Sequence, residues 1–379
     1  MIKSVEEFFK QKTDNLTFVN LKEEANVVIN GYTIQSSIPM PIIMSDLVNE
    51  IKGFTAQEEL RISTFIDGMI YVLGVDPKFK YADHYKEILY NYNNNIEDYI
   101  LYKGHVFIEQ NKLDDGMIYF RALVKVNPRN VKGLFNYACT LEQKANEFYK
   151  NNHFKVGVKF IRQATAYLED ILEVDSDFSL AYYKLGFHYQ ALKQFKKCQI
   201  VWERFIELDK DENRVQEIKE NLTKIQDDVT YEEGYNEILR GNPKEGLSKL
   251  LTLRERYSDW WNLLFMTGLA YRQLGRFAEA KREFEKVLAI KPNQVDSLNE
   301  IGLCLANLGE FEKAVEKFTK AIELRPMDYE IRCNRGMTYL QLGDIEKAIE
   351  DIEFAYEQNP ADEITISCKR QIDKLRSMS

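Results

Sequence analysis

The chain has 379 residues, 45% hydrophobic and 29% charged, with 51 basic against 60 acidic side chains and a net charge of −9. That length exceeds what one hydrophobic core usually holds, which predicts several domains or a repeat array, and the apolar share excludes wholesale disorder. The acidic balance argues against a nucleic-acid partner held by bulk charge, which needs a basic face.

Glycine (18) and proline (8) are scarce beside abundant Leu, Glu, Lys and Tyr, so an all-α protein is expected. The five cysteines lie far apart and the four histidines show no zinc spacing. No disulfide framework, metal or cofactor is therefore expected. The segment from Met1 to Asn15 is too poor in apolar residues for a signal peptide, and no run approaches the roughly 18 apolar residues of a membrane span. A cytoplasmic protein without a membrane partner is expected.

Residues 1–96 read as a small N-terminal module. Asn30-Gly31 between Val27-Val28-Ile29 and Tyr32-Thr33-Ile34 predicts a type I′ hairpin. After Pro39 and Pro41, Thr55 with Glu58 resembles a capping box. The helix it opens would run to about Leu73, with Ile62, Phe65, Ile66, Met69 and Leu73 on its apolar face. Gly53 and Pro77 make 46–79 a candidate degenerate repeat.

From 97 to 362 a period of 34 residues governs the chain. Residues 97–130 carry Gly104, Phe107, Gly116, Phe120 and Pro128. Residues 131–178 fit the same register with fourteen added residues near 145–158, predicting two helices about two turns longer than usual. Residues 179–212 carry Tyr182, Gly186, Tyr189 and Trp202. A second fourteen-residue insert, 213–226, has Val215, Ile218, Leu222, Ile225 and Val229 at a 3-4-3-4 spacing, which predicts a helix running into the next repeat. Residues 227–260 place Gly234, Gly241 and Gly246 in register.

Three gap-free copies follow, 261–294, 295–328 and 329–362. Glycine holds the eighth place (Gly268, Gly302, Gly336) and the fifteenth (Gly275, Gly309, Gly343). Alanine holds the twentieth (Ala280, Ala314, Ala348) and proline the thirty-second (Pro292, Pro326, Pro360). Glycine at fifteen suits a tight turn between helices, and the small residues at eight and twenty are expected to meet across each helix pair. Residues 363–379, with Ile364, Cys368, Ile372 and Leu375 on one side, are expected to cap the stacking face of the last repeat. The chain resembles the tetratricopeptide (TPR) repeat family over 97–362. That resemblance implies an α-α superhelix of about seven helix pairs whose first helices line a concave face at places 2, 5, 9, 12 and 13.

At places five and nine the sequence is rich in rings. His105, Phe135, Tyr183, Phe187, Tyr231, Tyr235 and Phe265 are the candidate partner-binding residues, since aromatic side chains offer large contact area at low entropic cost. The competing reading packs these rings on their own second helices or against residues 1–96. Some family members grip a C-terminal carboxylate with Lys and Asn at places five and nine of one repeat, Asn at six of the next, and Lys and Arg at two and six of the third. Here those places hold Phe265 and Leu269, Glu300, then Glu330 and Asn334, so the clamp is not expected. Asp209, Asp211, Asn213, Glu217 and Glu220 have the spacing of a calcium loop. Arg214 stands where that loop needs glycine, so an inter-repeat turn is expected instead. No phosphate, dinucleotide, zinc-protease or acyl-transfer signature occurs, and no catalytic residue is named.

The resulting expectation is a non-enzymatic scaffold that binds a protein or peptide. Alternatives are a peptide-sensing bacterial regulator with degenerate TPRs and an adaptor subunit of a larger complex.

Overall fold

The structure, a computed structural model, describes residues 4–22, 27–45 and 61–378. Ser4 opens helix α1 (Val5–Lys10) by accepting the Glu7 backbone N–H at 3.1 Å. A short 3-10 turn then leads to strand β1 (Leu16–Val19). Strands β2 (Val28–Ile29) and β3 (Tyr32–Thr33) form the hairpin that Asn-Gly predicts, with Asn30 at φ 46° and Gly31 at φ 85°. Strand β4 (Met40–Ile43) returns to pair antiparallel with β1, Leu16 opposite Ile43 and Val19 opposite Met40. Pro41 lacks an N–H and is tolerated there because this sheet has only two strands, both edges.

Helix α2 (Ile62–Val75) buries Ile66, Met69 and Leu73 as its periodicity predicts, while Ile62, in the first turn, stays 47% exposed. Thr55, Glu58 and Gly53 lie outside the described residues. The backbone of α2 comes close to its neighbours at two glycines. A Cβ on Gly68 would strike the Pro41 carbonyl, and one on Gly74 the Ile118 carbonyl. Helix α3 (Ala82–Tyr92) follows.

From Ile96 onward the described chain is helix and short turn, and among the described residues no strand lies beyond Ile43. The helix pairs are α4 (Ile96–Glu109) with α5 (Leu113–Val126), α6 (Val131–Lys150) with α7 (Phe154–Val174), and α8 (Ser179–Ala191) with α9 (Phe195–Leu208). Next come α10 (Glu212–Leu239) with α11 (Pro243–Arg254), and α12 (Trp261–Gln273) with α13 (Phe277–Ile290). The last pairs are α14 (Val295–Asn307) with α15 (Phe311–Leu324) and α16 (Tyr329–Leu342) with α17 (Ile345–Gln358), before a final helix α18 (Glu363–Met378). The α6–α7 pair has 20 and 21 residues against 13 and 14 in α8–α9, so the fourteen extra residues are shared between both helices. Helix α10 runs 28 residues, about 42 Å, with Ile218, Ile225 and Val229 buried. The chain divides into two compact units, residues 1–222 and 223–379.

In the first unit, α1 docks on the repeat helices α5, α6 and α7. Phe8 meets Phe160 edge to face at 5.8 Å, and Phe9 lies 6.4 Å from Tyr137. Arg121, 5% exposed, grips both Glu6 oxygens at 2.6 Å and donates to the Gly74 carbonyl at 3.1 Å. Its guanidinium also lies 4.0 Å from the Phe9 ring centroid.

Places eight and twenty approach each other where both are glycine, a Cβ on Gly246 lying 2.7 Å from the Gly234 carbonyl, and place eight also receives a large side chain of the second helix. Gly302 faces the Phe318 ring at place twenty-four, which a Cβ would meet at 2.5 Å. Gly268 faces Phe284 in the same way, Gly234 faces Leu250, and Gly186 faces the Trp202 indole. Gly336 faces Ile352 at 2.7 Å and also reaches the Ala348 carbonyl at 3.2 Å. The glycine therefore makes room for a large side chain of the second helix, and the alanine at place twenty is buried in its own right. Gly302→Leu is expected to lower stability by about 1–3 kcal/mol through overpacking of Phe318. A urea melt of the variant that overlies the wild-type curve would contradict this contact.

Place fifteen is a left-handed turn in every repeat. Gly241, Gly275, Gly309 and Gly343 have φ between 72° and 85°. In the earlier repeats Asn111, Asn152 and Lys193 take the same conformation, at φ 59°, 62° and 58°. Lysine has no side-chain bond that eases this region, which costs an L-residue about 1–2 kcal/mol. Lys193→Gly is therefore expected to raise stability by about 0.5–1 kcal/mol, after the added freedom of glycine in the unfolded chain. A lower melting temperature would refute that reading of the turn.

Candidate functional site

In the first unit the candidate rings lie on α4, α6 and α8. His105 is exposed and rests edge-on against Phe120 of its second helix, 5.2 Å between ring centres. Phe135 is half-buried, edge to face with Phe178 at 5.2 Å. Tyr183 lies 5.1 Å from Phe187 and 5.3 Å from Phe205, and Phe187 meets Trp202 edge-on at 5.1 Å. The Tyr183 hydroxyl donates to Glu217 at 3.0 Å, and burial with this acceptor raises its pKa.

In the second unit Tyr231 is half-buried and lies 4.7 Å from Trp260, with Tyr235 6.3 Å away and 37% exposed. Tyr257 closes the cluster edge-on to Trp260 at 5.5 Å. Its hydroxyl donates to Asp227 at 2.6 Å, a carboxylate that Arg256 also holds through two contacts of 2.7 Å. Phe265 rests on Phe284 at 5.4 Å. Most of these rings thus touch a ring behind them on their own second helix or on the turn that follows it, and each keeps some surface open. Trp260 and Tyr257 escaped sequence reasoning because they stand at the end of a repeat, outside the places that line a first helix.

A second pattern joins neighbouring first helices. Place twelve of one repeat meets place six of the next as an ion pair. Glu142 on α6 takes Lys184 of α8 at 2.7 Å, and with reversed signs Arg272 on α12 takes Glu300 of α14 at 2.5 Å. Burial would raise the Glu142 carboxyl, but His188 and Lys184 outweigh it and hold the pKa at about 2. His188 Nε2 is 3.7 Å from Glu142, too long for a hydrogen bond, while Nδ1 pairs with the Thr165 hydroxyl at 3.1 Å. For Glu300 burial prevails over Arg272, and its pKa is raised. Beside Glu142 and Lys184, burial pushes the Cys139 thiol up to about 11, so it is not an activated nucleophile.

A family model described as tetratricopeptide repeat matches residues 232–295, 265–329 and 299–363. Residues 232–363 carry tetratricopeptide repeats. Among solved structures, YrrB, described as a TPR protein with an unusual peptide-binding site, is 18% identical. That match covers 66% of this chain and 97% of that one, with a TM-score of 0.28. PilW, a type IV pilus biogenesis factor, is 19% identical over 61% of this chain and 97% of its own, at a TM-score of 0.39. A tetratricopeptide repeat protein from Parabacteroides merdae is 12% identical over 73% and 98%, at 0.37. A search of curated proteins returned no match.

Within these TPRs, the places at which a carboxylate clamp presents cations and amides are otherwise engaged. Glu300 is held by Arg272, and Asn334 donates its amide to Asn299 at 3.0 Å. The calcium-like string is a helix start. Asp211 accepts the backbone N–H groups of Asn213 and Arg214 at 3.0 and 3.1 Å, which caps α10. Arg214 bonds Asp209 at 3.0 Å and Asp211 at 3.1 Å, filling the loop with its own cation. Among the described residues no helix is long and apolar enough to cross a membrane.

Proposed function

We propose that this chain is a non-enzymatic scaffold that binds an extended peptide segment of a protein partner on the concave face lined by the first helices within a unit. The carrying observation is the recurrence of partly open aromatic rings at places five and nine, supported from behind by rings such as Phe120, Phe205, Trp202 and Phe284. Support of this kind fixes each ring before binding, so little rotamer freedom remains to be lost when a partner covers it. The residues assigned to such faces are His105, Phe135, Tyr183 and Phe187 in the first unit and Tyr231, Tyr235 and Phe265 in the second. A tetratricopeptide array has the length to follow such a segment over several repeats. Side chains of the partner that are apolar or aromatic fit these rings best.

A displayed library of random peptides selected on the full chain tests the proposal. Selected peptides should bind saturably and compete with one another, measured by fluorescence anisotropy. Peptides that bind equally well after the rings are removed would place the site elsewhere.

A further inference from the structure

We infer that Cys333 and Cys368 form a reversible disulfide that ties the last helix α18 to α16. Their sulfurs stand 3.1 Å apart although the residues are 35 positions apart in sequence. Both are free thiols, 3% and 6% exposed. Closure needs an approach of only about 1 Å, to the roughly 2.05 Å of an S–S bond. The repeat register explains why they meet. Asn299 and Asn334, each one 34-residue repeat earlier, touch tip to tip at 3.0 Å. The same rung, moved on by one repeat, carries two sulfurs in place of two amides. Ile352, Ala355 and Ile372 wall it with apolar surface, which favours the neutral disulfide over any charged oxidation product.

The oxidant named here is hydrogen peroxide. One thiolate attacks the peroxide O–O bond, giving a sulfenic acid and, with its proton, one water. The second thiol attacks the sulfenic sulfur, the S–S bond forms, and a second water leaves. In sum, two thiols and one peroxide give one disulfide and two waters, with two electrons passing from sulfur to oxygen. A dithiol reductant reverses the step by exchange. Because α18 is the last helix and rests on α16 and α17 alone among the helices with substantial contacts, its opening admits the oxidant, and the bond then holds it closed.

The test treats the native full chain with hydrogen peroxide, then denatures it and alkylates the remaining thiols. Two of the five thiols should be lost, leaving three that react, and digestion should yield one cross-linked peptide pair containing Cys333 and Cys368 from monomeric chain. Dithiothreitol should restore all five. The oxidised chain should melt at a higher temperature, since the bond closes a long loop in the unfolded state. In Cys333→Ser no intramolecular cross-link should form. Five alkylated thiols after peroxide, a cross-link joining other cysteines or two chains, or sulfinic acid at these sites without a cross-link would each overturn the inference.

Discussion

Asp351→Ala is expected to lower the stability of the terminal repeats by about 3 kcal/mol, toward the low end of the cost of breaking a buried ion pair. Asp351 is 1% exposed on α17. Its oxygens accept Arg335 Nε at 2.7 Å and Nη2 at 2.8 Å, and Arg332 Nη1 at 3.3 Å. Arg335 also donates to Thr319 at 3.0 Å, linking α15, α16 and α17 through one guanidinium. With the carboxylate gone, two arginine side chains only 16% and 19% exposed would lose their shared counter-charge. The partial exposure lets water moderate the penalty, which is why the figure is not larger. Asp351→Asn keeps the shape but not the charge and should fall between the two. Lys347 and Asp344 make a pair at 2.7 Å on the exposed surface, where water screens the charges, and breaking it should shift the midpoint far less. Urea unfolding followed by far-UV circular dichroism, with hydrogen exchange to localise the loss to α16 and α17, measures all three. An Asp351→Ala midpoint equal to the wild type would show that the pair contributes nothing.

The repeat register was legible because its marks are backbone requirements. A left-handed turn at place fifteen calls for glycine in four repeats, and a close approach at place eight calls for it again. The partner of that approach was not legible from glycine alone. Phe284 and Phe318 recur at one place in the sequence, yet a recurring aromatic reads equally as core or as surface until the facing helix is set. The hairpin at Asn30-Gly31 is a local signal and was read correctly, whereas β1 pairs with a strand beyond that hairpin, and no short-range pattern marks the match. Arg121 and Glu6 are 115 residues apart, and neither residue type at its own position announces the other. The rungs between first helices lie between these cases. Once the period is known, place twelve to place six is simple arithmetic, and Glu142 with Lys184 or Arg272 with Glu300 could have been paired by charge.

Joint replacement of Tyr183 and Tyr235 by alanine is expected to weaken a selected peptide that covers either ring by about 2–4 kcal/mol, roughly 30- to 1000-fold in Kd. The two positions differ in how far they support the fold. Tyr235 is 37% exposed and its nearest ring, Tyr231, is 6.3 Å away, so its removal should leave the melting curve almost unchanged. Tyr183 touches Phe187 and Phe205 and bonds Glu217, so its removal should lower stability modestly, by about 1 kcal/mol. Tyr183→Phe separates these terms, since it keeps the ring for the partner and deletes only the hydroxyl that reaches Glu217. That variant should bind within a few-fold of wild type, and the double alanine variant should retain its helical content while losing affinity. Unaltered binding by the folded double variant would remove these rings from the site. If instead the chain unfolds while its residual folded fraction still binds the peptide as tightly, the rings serve the core and the partner is held elsewhere.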